Sequence, residues 1–295
     1  MKKALLIVNP VSGKQAAKQC FFDIVNNLSL KYEVTVHITK SAEDLYEAAK
    51  SCTHTTMIVC GGDGTLSGAV RGLWENPLRD KIRMGYIPSG TANDVASTLE
   101  IPKTMPAAAL YVCRNSAKSH DLGFFGDRPF IYTASFGTFT KATYETPQDV
   151  KNALGVFAYF LGGASEIFDL KGYDVTFEYE GNTVTRKDIT FCSVSNTHYL
   201  GGGLIRYTSD IVGLDDGKLE ILTVARPKNL FELENILRSL LQKQFNNEYV
   251  SLIQTPSVRI KCDTPLAFTV DGDSGGEHTD ITVSCLKDGL KFIRK

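Results

Sequence analysis

Over the first hundred residues the chain alternates short, unbroken apolar runs with stretches whose apolar residues recur every three or four positions. Residues 4–8, 32–38, 57–60 and 84–87 read as strands, and residues 15–28, 42–50 and 66–73 as the helices between them. Alternation of this kind builds a parallel sheet with helices on both faces, and strands without a polar side are those buried from both sides. From about residue 121 the texture changes. Residues 130–135, 173–179, 189–195, 219–224, 257–261, 267–270 and 281–285 read as strands separated by turn signals such as Glu180-Gly-Asn182 and Asp216-Gly217. The second half is therefore expected to be an antiparallel sandwich or barrel, interrupted by helices near 151–168 and 229–244, with a domain boundary near residue 121. The fold class is α/β followed by all-β.

Composition narrows the function only a little. A chain of 295 residues with 43% hydrophobic and 10% aromatic content can fill a large core. Lys and Arg number 32 against 33 acidic residues, and the net charge of −1 gives no electrostatic case for binding nucleic acid. The seven cysteines are scattered with no C-x-x-C pair, which argues against a disulfide framework or a zinc cluster and fits a reducing cytoplasm. The start, Met1-Lys-Lys-Ala-Leu-Leu-Ile-Val-Asn-Pro10, has too short an apolar run for a signal peptide. No stretch approaches the roughly 20 apolar residues of a spanning helix. Work at a membrane is thus expected from its surface.

Candidate chemistry lies where the apolar runs end. Gly61-Gly-Asp-Gly-Thr65 follows the third strand, Asn9-Pro-Val-Ser-Gly-Lys14 the first, and Pro88-Ser-Gly-Thr-Ala-Asn-Asp94 the fourth. A glycine-rich turn from strand into helix lets backbone N–H groups surround an anion, most often phosphate, although one such turn alone can simply supply a left-handed backbone. Three at neighbouring strand ends favour a ligand, because ligands of such sheets sit beyond the carboxyl ends of the strands. A carboxylate beside phosphate is repulsive unless a cation lies between them, so Asp63 points to a magnesium-bound polyphosphate. The segments match neither G-x-x-x-x-G-K-[ST] nor a dinucleotide fingerprint.

This ordered set resembles the diacylglycerol kinase catalytic-domain family, in particular its bacterial soluble lipid kinases. The likeness continues through His120-Asp-Leu-Gly123, Gly201-Gly-Gly203, Leu214-Asp-Asp-Gly-Lys-Leu219 and Val270-Asp-Gly-Asp273. It implies a Rossmann-like nucleotide-binding domain over 1–120, joined by the returning residues 286–295, and a β-sandwich domain over 121–285, with ATP between them. Carried over position by position, Asn9, Ser12, Thr39, Gly62, Asp63, Gly64, Thr65, Leu66, Ser67 and Thr91 touch ATP. Asp63 faces its magnesium, and Asn93 and Asp94 line the same cleft. A second, structural magnesium is implied at Asp216, with the carbonyls of Gly213 and Lys218; read alone, Asp216-Gly217 is a hairpin turn. The family's base is the glutamate of an Asp-Gly-Glu motif, and this chain has Asp271-Gly-Asp273. The shorter stem of Asp273 loses about 1.5 Å of reach. Either the backbone compensates, or Asp271 takes more of the role, or activity is low.

The expected function is an ATP- and magnesium-dependent kinase of a lipid hydroxyl such as that of diacylglycerol, working from the cytoplasm at the membrane surface, with a homodimer implied by family analogy only. Two alternatives stand beside it: a kinase of a polar substrate such as NAD, which shares the GGDGT loop, and a nucleotide-binding regulatory protein whose catalysis has decayed. The apolar segment at 154–161 reads as core packing or as an acyl-chain contact, and His120 and His198 read as structural.

Overall fold

The computed structural model of the chain describes residues 1–137, 170–203 and 205–295. Its first part is a parallel sheet of β1 (Lys2–Val8), β2 (Tyr32–Ile38), β3 (Thr56–Gly61) and β4 (Arg83–Pro88), in the order β2-β1-β3-β4. Leu6 lies beside Val36 on one side and Ile58 on the other, and Ile58 beside Gly85. The inner strands are buried along nearly their whole length, which is why they read as unbroken apolar runs.

The helices are α1 (Ala16–Gln19), α2 (Phe21–Leu28), α3 (Ala42–Lys50), α4 (Asp63–Trp74), α5 (Asp94–Thr98) and α6 (Met105–Arg114). The single helix expected over 15–28 is interrupted at Cys20. Helix α3 starts where its sequence dictates, with the Ser41 hydroxyl accepting the N–H of Asp44 at 3.1 Å. Helix α4 begins three residues before its apolar pattern: Gly62 is the cap and Asp63 the first helical residue, a position where a carboxylate meets the positive end of the helix dipole. Helices α5 and α6, and strand β5, are not among the elements expected above.

The second part consists of β5 (Ser116–Phe125), β6 (Arg128–Phe130), β7 (Thr133–Gly137), β8 (Tyr173–Tyr179), β9 (Asn182–Ser195), β10 (Tyr199–Leu200), β11 (Ile205–Arg206), β12 (Leu219–Ala225), α7 (Leu230–Leu241), β13 (Val250–Thr255), β14 (Ser257–Val270) and β15 (Asp273–Arg294). The helix expected near 151–168 and the segment 154–161 lie outside the described residues. Pairing in this part is antiparallel. Glu180 and Gly181 both adopt positive φ in the two-residue turn joining β8 to β9, and Asp271 and Gly272 do so between β14 and β15, as mirror-image hairpin turns require. Asp216-Gly217 is not such a hairpin; it lies in the loop between β11 and β12.

The 22-residue β15 joins the two parts. Its first half pairs with β14, its second half with β5, and Phe292 lies parallel beside Met84 of β4, so that β1 to β9 and β12 to β15 form one 13-stranded sheet. The boundary placed near residue 121 falls inside β5. One core packs the parallel sheet against its helices, with Leu6, Ile58, Leu66 and Tyr86 fully buried. A second packs Phe130, Phe136, Phe177 and Phe268 inside the β-rich part, where the rings of Phe136 and Phe268 meet edge-on at 5.2 Å.

Candidate active site

Because β1, β3 and β4 run parallel, their following loops emerge at one edge, where they touch. Asn9 donates from Nδ2 to the Thr65 hydroxyl at 2.9 Å, and the Ser12 and Ser89 hydroxyls lie 2.6 Å apart. Gly13 has φ +55, and a Cβ there would stand 1.7 Å from the carbonyl oxygen of Ser89. Across the next gap, a Cβ on Gly90 would be 2.7 Å from the Cα of Gly62. A Cβ on Gly64 meets nothing within 4 Å. Two kinds of glycine are thus present: some let loop backbones touch, and Gly64 leaves the first turn of α4 open.

Asn93 holds the third loop in shape. It sits at φ 53, accepts the N–H of Gly90 at 2.9 Å and donates to the carbonyl of Gly90 at 2.6 Å. Thr91 is exposed beside it. Thr39 is buried at the end of β2, its hydroxyl on the carbonyl of Val8. Leu66 turns into the core and spends its amide on the carbonyl of Gly62, which leaves nothing of it facing the loops.

Asp63 is not the solvent-facing loop residue that its glycine neighbours imply. Its Oδ2 accepts the N–H of Asp94 at 3.2 Å, tying the second loop to the third. Its Oδ1 is buried and meets no well-formed hydrogen bond; the hydroxyl of the adjacent Tyr86 is the polar group that faces this carboxylate. Burial and then the Asp94 carboxylate push the Asp63 carboxyl up to about 6, against the pull of the amides at 93–95. Such a group is short of positive charge, and a cation at the loops would supply it. Asp94 is itself buried, and its Oδ2 accepts the Tyr132 hydroxyl at 2.6 Å and the N–H of Gly202 at 2.8 Å. Burial raises its carboxyl as well, opposed by Tyr132 and the Gly202 and Gly203 amides.

The hairpin turn 271–273 lies along the flank of α4, and its two carboxylates face different surroundings. Asp271 is buried at φ 50 and accepts three amides, from Ile131 at 3.0 Å, Tyr132 at 2.9 Å and Thr133 at 3.0 Å, with Ser67 of α4 adding a side-chain bond. Burial pushes its carboxyl up and these donors hold it down. Its oxygens are occupied, and it anchors the chain between β6 and β7. The same amides explain why the run at 130–135 is two strands: at Ile131 and Tyr132 the backbone bonds to Asp271 instead of to a neighbouring strand. Asp273 points outward, its side chain 64% exposed, with Oδ2 at 3.2 Å from Arg128 and 3.9 Å from Arg71. Arg128 is fixed by the carbonyls of Ser274 at 2.8 Å and Val270 at 3.2 Å. Ser67 and Arg71 lie one and two turns beyond Asp63 on the same helix face. That spacing is a sequence signal that they share a face with Asp63, though not of what the face meets, and nothing local marks Tyr132 or Arg128.

Around Asp216 the donors are carboxylates and carbonyls. Asp216 folds over Gly213, where a Cβ would stand 2.7 Å from its Oδ2, and its Oδ1 accepts the N–H of Lys218 at 2.9 Å. Asp121, fully buried, accepts the amides of Gly217 at 2.6 Å and Asp288 at 2.8 Å and so holds this loop. Glu220 is buried with Oε2 unpartnered; desolvation, with Asp216 and Asp121 adding, pushes its carboxyl up to about 8. An orphaned carboxyl oxygen in an excess of negative charge fits a hard cation, although no three His, Cys, Asp or Glu side chains among the described residues converge as a ligand set. His120 is buried among apolar groups with neither ring nitrogen bonded, and desolvation brings it down to about 3, so it stays neutral. His198 faces the carbonyl of Val212 with Nε2 at 3.1 Å.

Comparison with known proteins bears on this geometry. Residues 3–125 match the model of the diacylglycerol kinase catalytic domain, and residues 134–293 that of the YegS C-terminal NAD kinase beta sandwich-like domain. A diacylglycerol kinase of Staphylococcus aureus (strain JH9) is 31% identical over 283 residues, 94% of this chain and 87% of the relative. Two solved structures from Bacillus anthracis str. Sterne, both named for diacylglycerol kinases, superpose over 100% of this chain and 95% and 97% of their own. Their TM-scores are 0.80 and 0.78, at 25% and 22% identity. With glycine loops meeting at one sheet edge and matches spanning both parts of the chain, this protein belongs to the diacylglycerol kinase catalytic-domain family of lipid kinases.

Proposed function

We propose that the chain transfers the terminal phosphoryl group of ATP to a hydroxyl of a membrane lipid such as diacylglycerol, with magnesium on the polyphosphate. The observation that carries this reading is the meeting of three glycine-rich loops at the first turn of α4, with the buried carboxylate of Asp63, crowded by that of Asp94, at their centre. Backbone amides of Gly62 to Thr65 and the hydroxyls of Ser12 and Thr91 bind phosphate oxygens, and the dipole of the 12-residue α4 adds to the attraction. Asp63 is the residue that would hold magnesium, which neutralises charge on the transferring group when bound.

Asp273 is the group free to take the proton of the acceptor hydroxyl, since Asp271 has its oxygens occupied. A second cation, held by Asp216 and the carbonyls of Gly213 and Lys218, would stabilise the loop before β12 and supply no chemistry. The lipid reaches the site from the membrane surface; among the described residues no helix is long and apolar enough to cross a membrane.

One observation favours a second reading. Arg128 and Arg71 draw Asp273, already a short residue, into an ion pair, and this would suit a protein that binds nucleotide but no longer transfers phosphate. Incubation with terminally labelled ATP, magnesium and mixed micelles of diacylglycerol or other membrane alcohols, with NAD in parallel, separates the readings. Label in an extracted lipid, identified by mass, supports the proposal. Label in NAD overturns it, and nucleotide binding without any transfer selects the second reading.

A further inference from the structure

Tyr132 uses every polar atom it has. Its N–H donates to Asp271 Oδ1 at 2.9 Å and its carbonyl accepts the N–H of Asn196 at 3.4 Å. Its hydroxyl donates to Asp94 Oδ2 at 2.6 Å and accepts the N–H of Gly201 at 2.9 Å. At one end it therefore grips the residue that anchors the hairpin carrying Asp273. At the other it grips Asp94, whose own N–H is bound by Asp63. The Gly201-Gly-Gly203 segment closes over the outer end: all three glycines are left-handed, at φ 64, 71 and 83, and the amides of Gly201 and Gly202 turn onto the Tyr132 oxygen and the Asp94 carboxylate. Neighbouring N–H groups of a turn that point into one concavity can cradle an anion. Here the anion is the protein's own.

We propose that Tyr132 is a positioning residue: a strut that sets the spacing between the hairpin bearing Asp273 and the loops bearing Asp63, with the glycine segment as its lock. Asp94 then serves as the fixture at the strut's far end, its charge absorbed by Tyr132 and the glycine amides. Phosphoryl transfer depends on the alignment of donor and acceptor, and small displacements weigh on turnover far more than on the affinity for either ligand. The kinetic part of this proposal rests on the kinase reading; the mechanical part does not.

Tyr132→Phe removes one oxygen and leaves the ring. Hydrogen exchange of the ligand-free protein tests the strut directly: besides the amides of Gly201 and Gly202, those of residues 131–133 and 271–274 exchange faster in the variant. Acceleration confined to Gly201 and Gly202 overturns the strut. With ATP and an accepted lipid, kcat falls about 10² while the KM for ATP stays within about twofold. A merely structural role predicts instead a smaller folded fraction with unchanged kcat per folded molecule, and that result overturns the positioning role. Gly202→Ala tests the lock from the other side should Tyr132→Phe not fold, since its Cβ meets nothing within 4 Å while its φ of +71 disfavours any side chain. The same split in kcat and KM, at smaller size, is expected, and an unaltered kcat in this folded variant overturns the positioning role. If the wild type phosphorylates no lipid and yet the hairpin loosens in Tyr132→Phe, the kinase reading falls and the strut stands.

Discussion

Asp63→Asn should make the ligand-free protein more stable and the enzyme inactive. In the wild type, burial and the neighbouring Asp94 hold the Asp63 carboxyl near 6 against 3.8 when unfolded. A gap of about 2 pH units at about 1.4 kcal/mol each makes the buried charge cost about 3 kcal/mol at neutral pH. Asparagine removes the charge, keeps an oxygen for the N–H of Asp94, and turns an NH₂ toward the Tyr86 hydroxyl that faces Asp63 in the wild type. With an unfolding entropy of about 2.1 cal/mol/K per residue over the chain, 3 kcal/mol corresponds to a Tm rise of about 5 °C. The sign follows from a raised carboxyl: between about pH 4 and 6 the folded state holds more protons than the unfolded one, so wild-type stability falls as pH rises through that window. The gain from asparagine is therefore full above pH 6 and vanishes toward pH 4. A magnesium-nucleotide analogue at about 100 times its Kd adds about 2.7 kcal/mol to the wild type and little to the variant, whose turnover drops by about 10² or more. Calorimetry at pH 7.5 and pH 4, with and without the analogue, checks all of this. An equal or lower Tm for the variant at pH 7.5, or a gain that persists at pH 4, would refute the reasoning.

Gly90→Ala places a methyl 2.7 Å from the Cα of Gly62, so the second and third loops must part; nucleotide affinity measured by calorimetric titration is expected to fall about tenfold or more while far-ultraviolet circular dichroism is unchanged. Asp216→Ala lowers the Tm measured in magnesium and abolishes the response to EDTA, because a bound ion stabilises only the state that holds it; a wild-type melting curve indifferent to EDTA would remove the cation from this loop. Asp273→Asn lowers turnover by about 10² to 10⁴ with nucleotide binding retained, whereas Asp273→Glu keeps or raises it; full activity in Asp273→Asn would exclude this residue as the base.

The fold was legible where one short segment decides it. The inner parallel strands had to be apolar throughout because helices cover both faces, and α3 announced itself through its period. The turn at Glu180-Gly-Asn182 showed through its glycine, which accepts φ > 0 without cost, whereas Asp216-Gly217 has the same appearance and is a longer loop. Strand β5 was hidden. It begins Ser116-Ala-Lys-Ser with its partly exposed half, and what makes it a strand is the far half of β15, more than 160 residues away. Helix α5 was hidden for the opposite reason: five residues give no period, and the amide that starts it is caught by Asp63 of another loop.

The same distinction divides the site. Gly61 to Thr65 could be read as a turn from strand into helix because its residues are contiguous, and contiguous residues must obey the local geometry of such a turn. Asp271 and Asp273 could not be told apart, since both belong to one Asp-Gly-Asp turn and either has the charge of a base. What separates them lies some 140 residues earlier in the chain, where Ile131, Tyr132 and Thr133 present three amides to Asp271 and Arg128 reaches Asp273. Burial raises the Asp271 carboxyl, yet its oxygens are filled by those amides, and meeting an acceptor hydroxyl would mean giving up bonds that nothing else replaces. Asp273 makes no such sacrifice: its arginine pair lies in water, where such contacts contribute about 0 to 1 kcal/mol and can yield as a substrate arrives. If the hairpin supplies the base, as proposed above, Asp273 is on this ground the carboxylate with an oxygen to spare, and the hairpin's placement must then make up for its short stem.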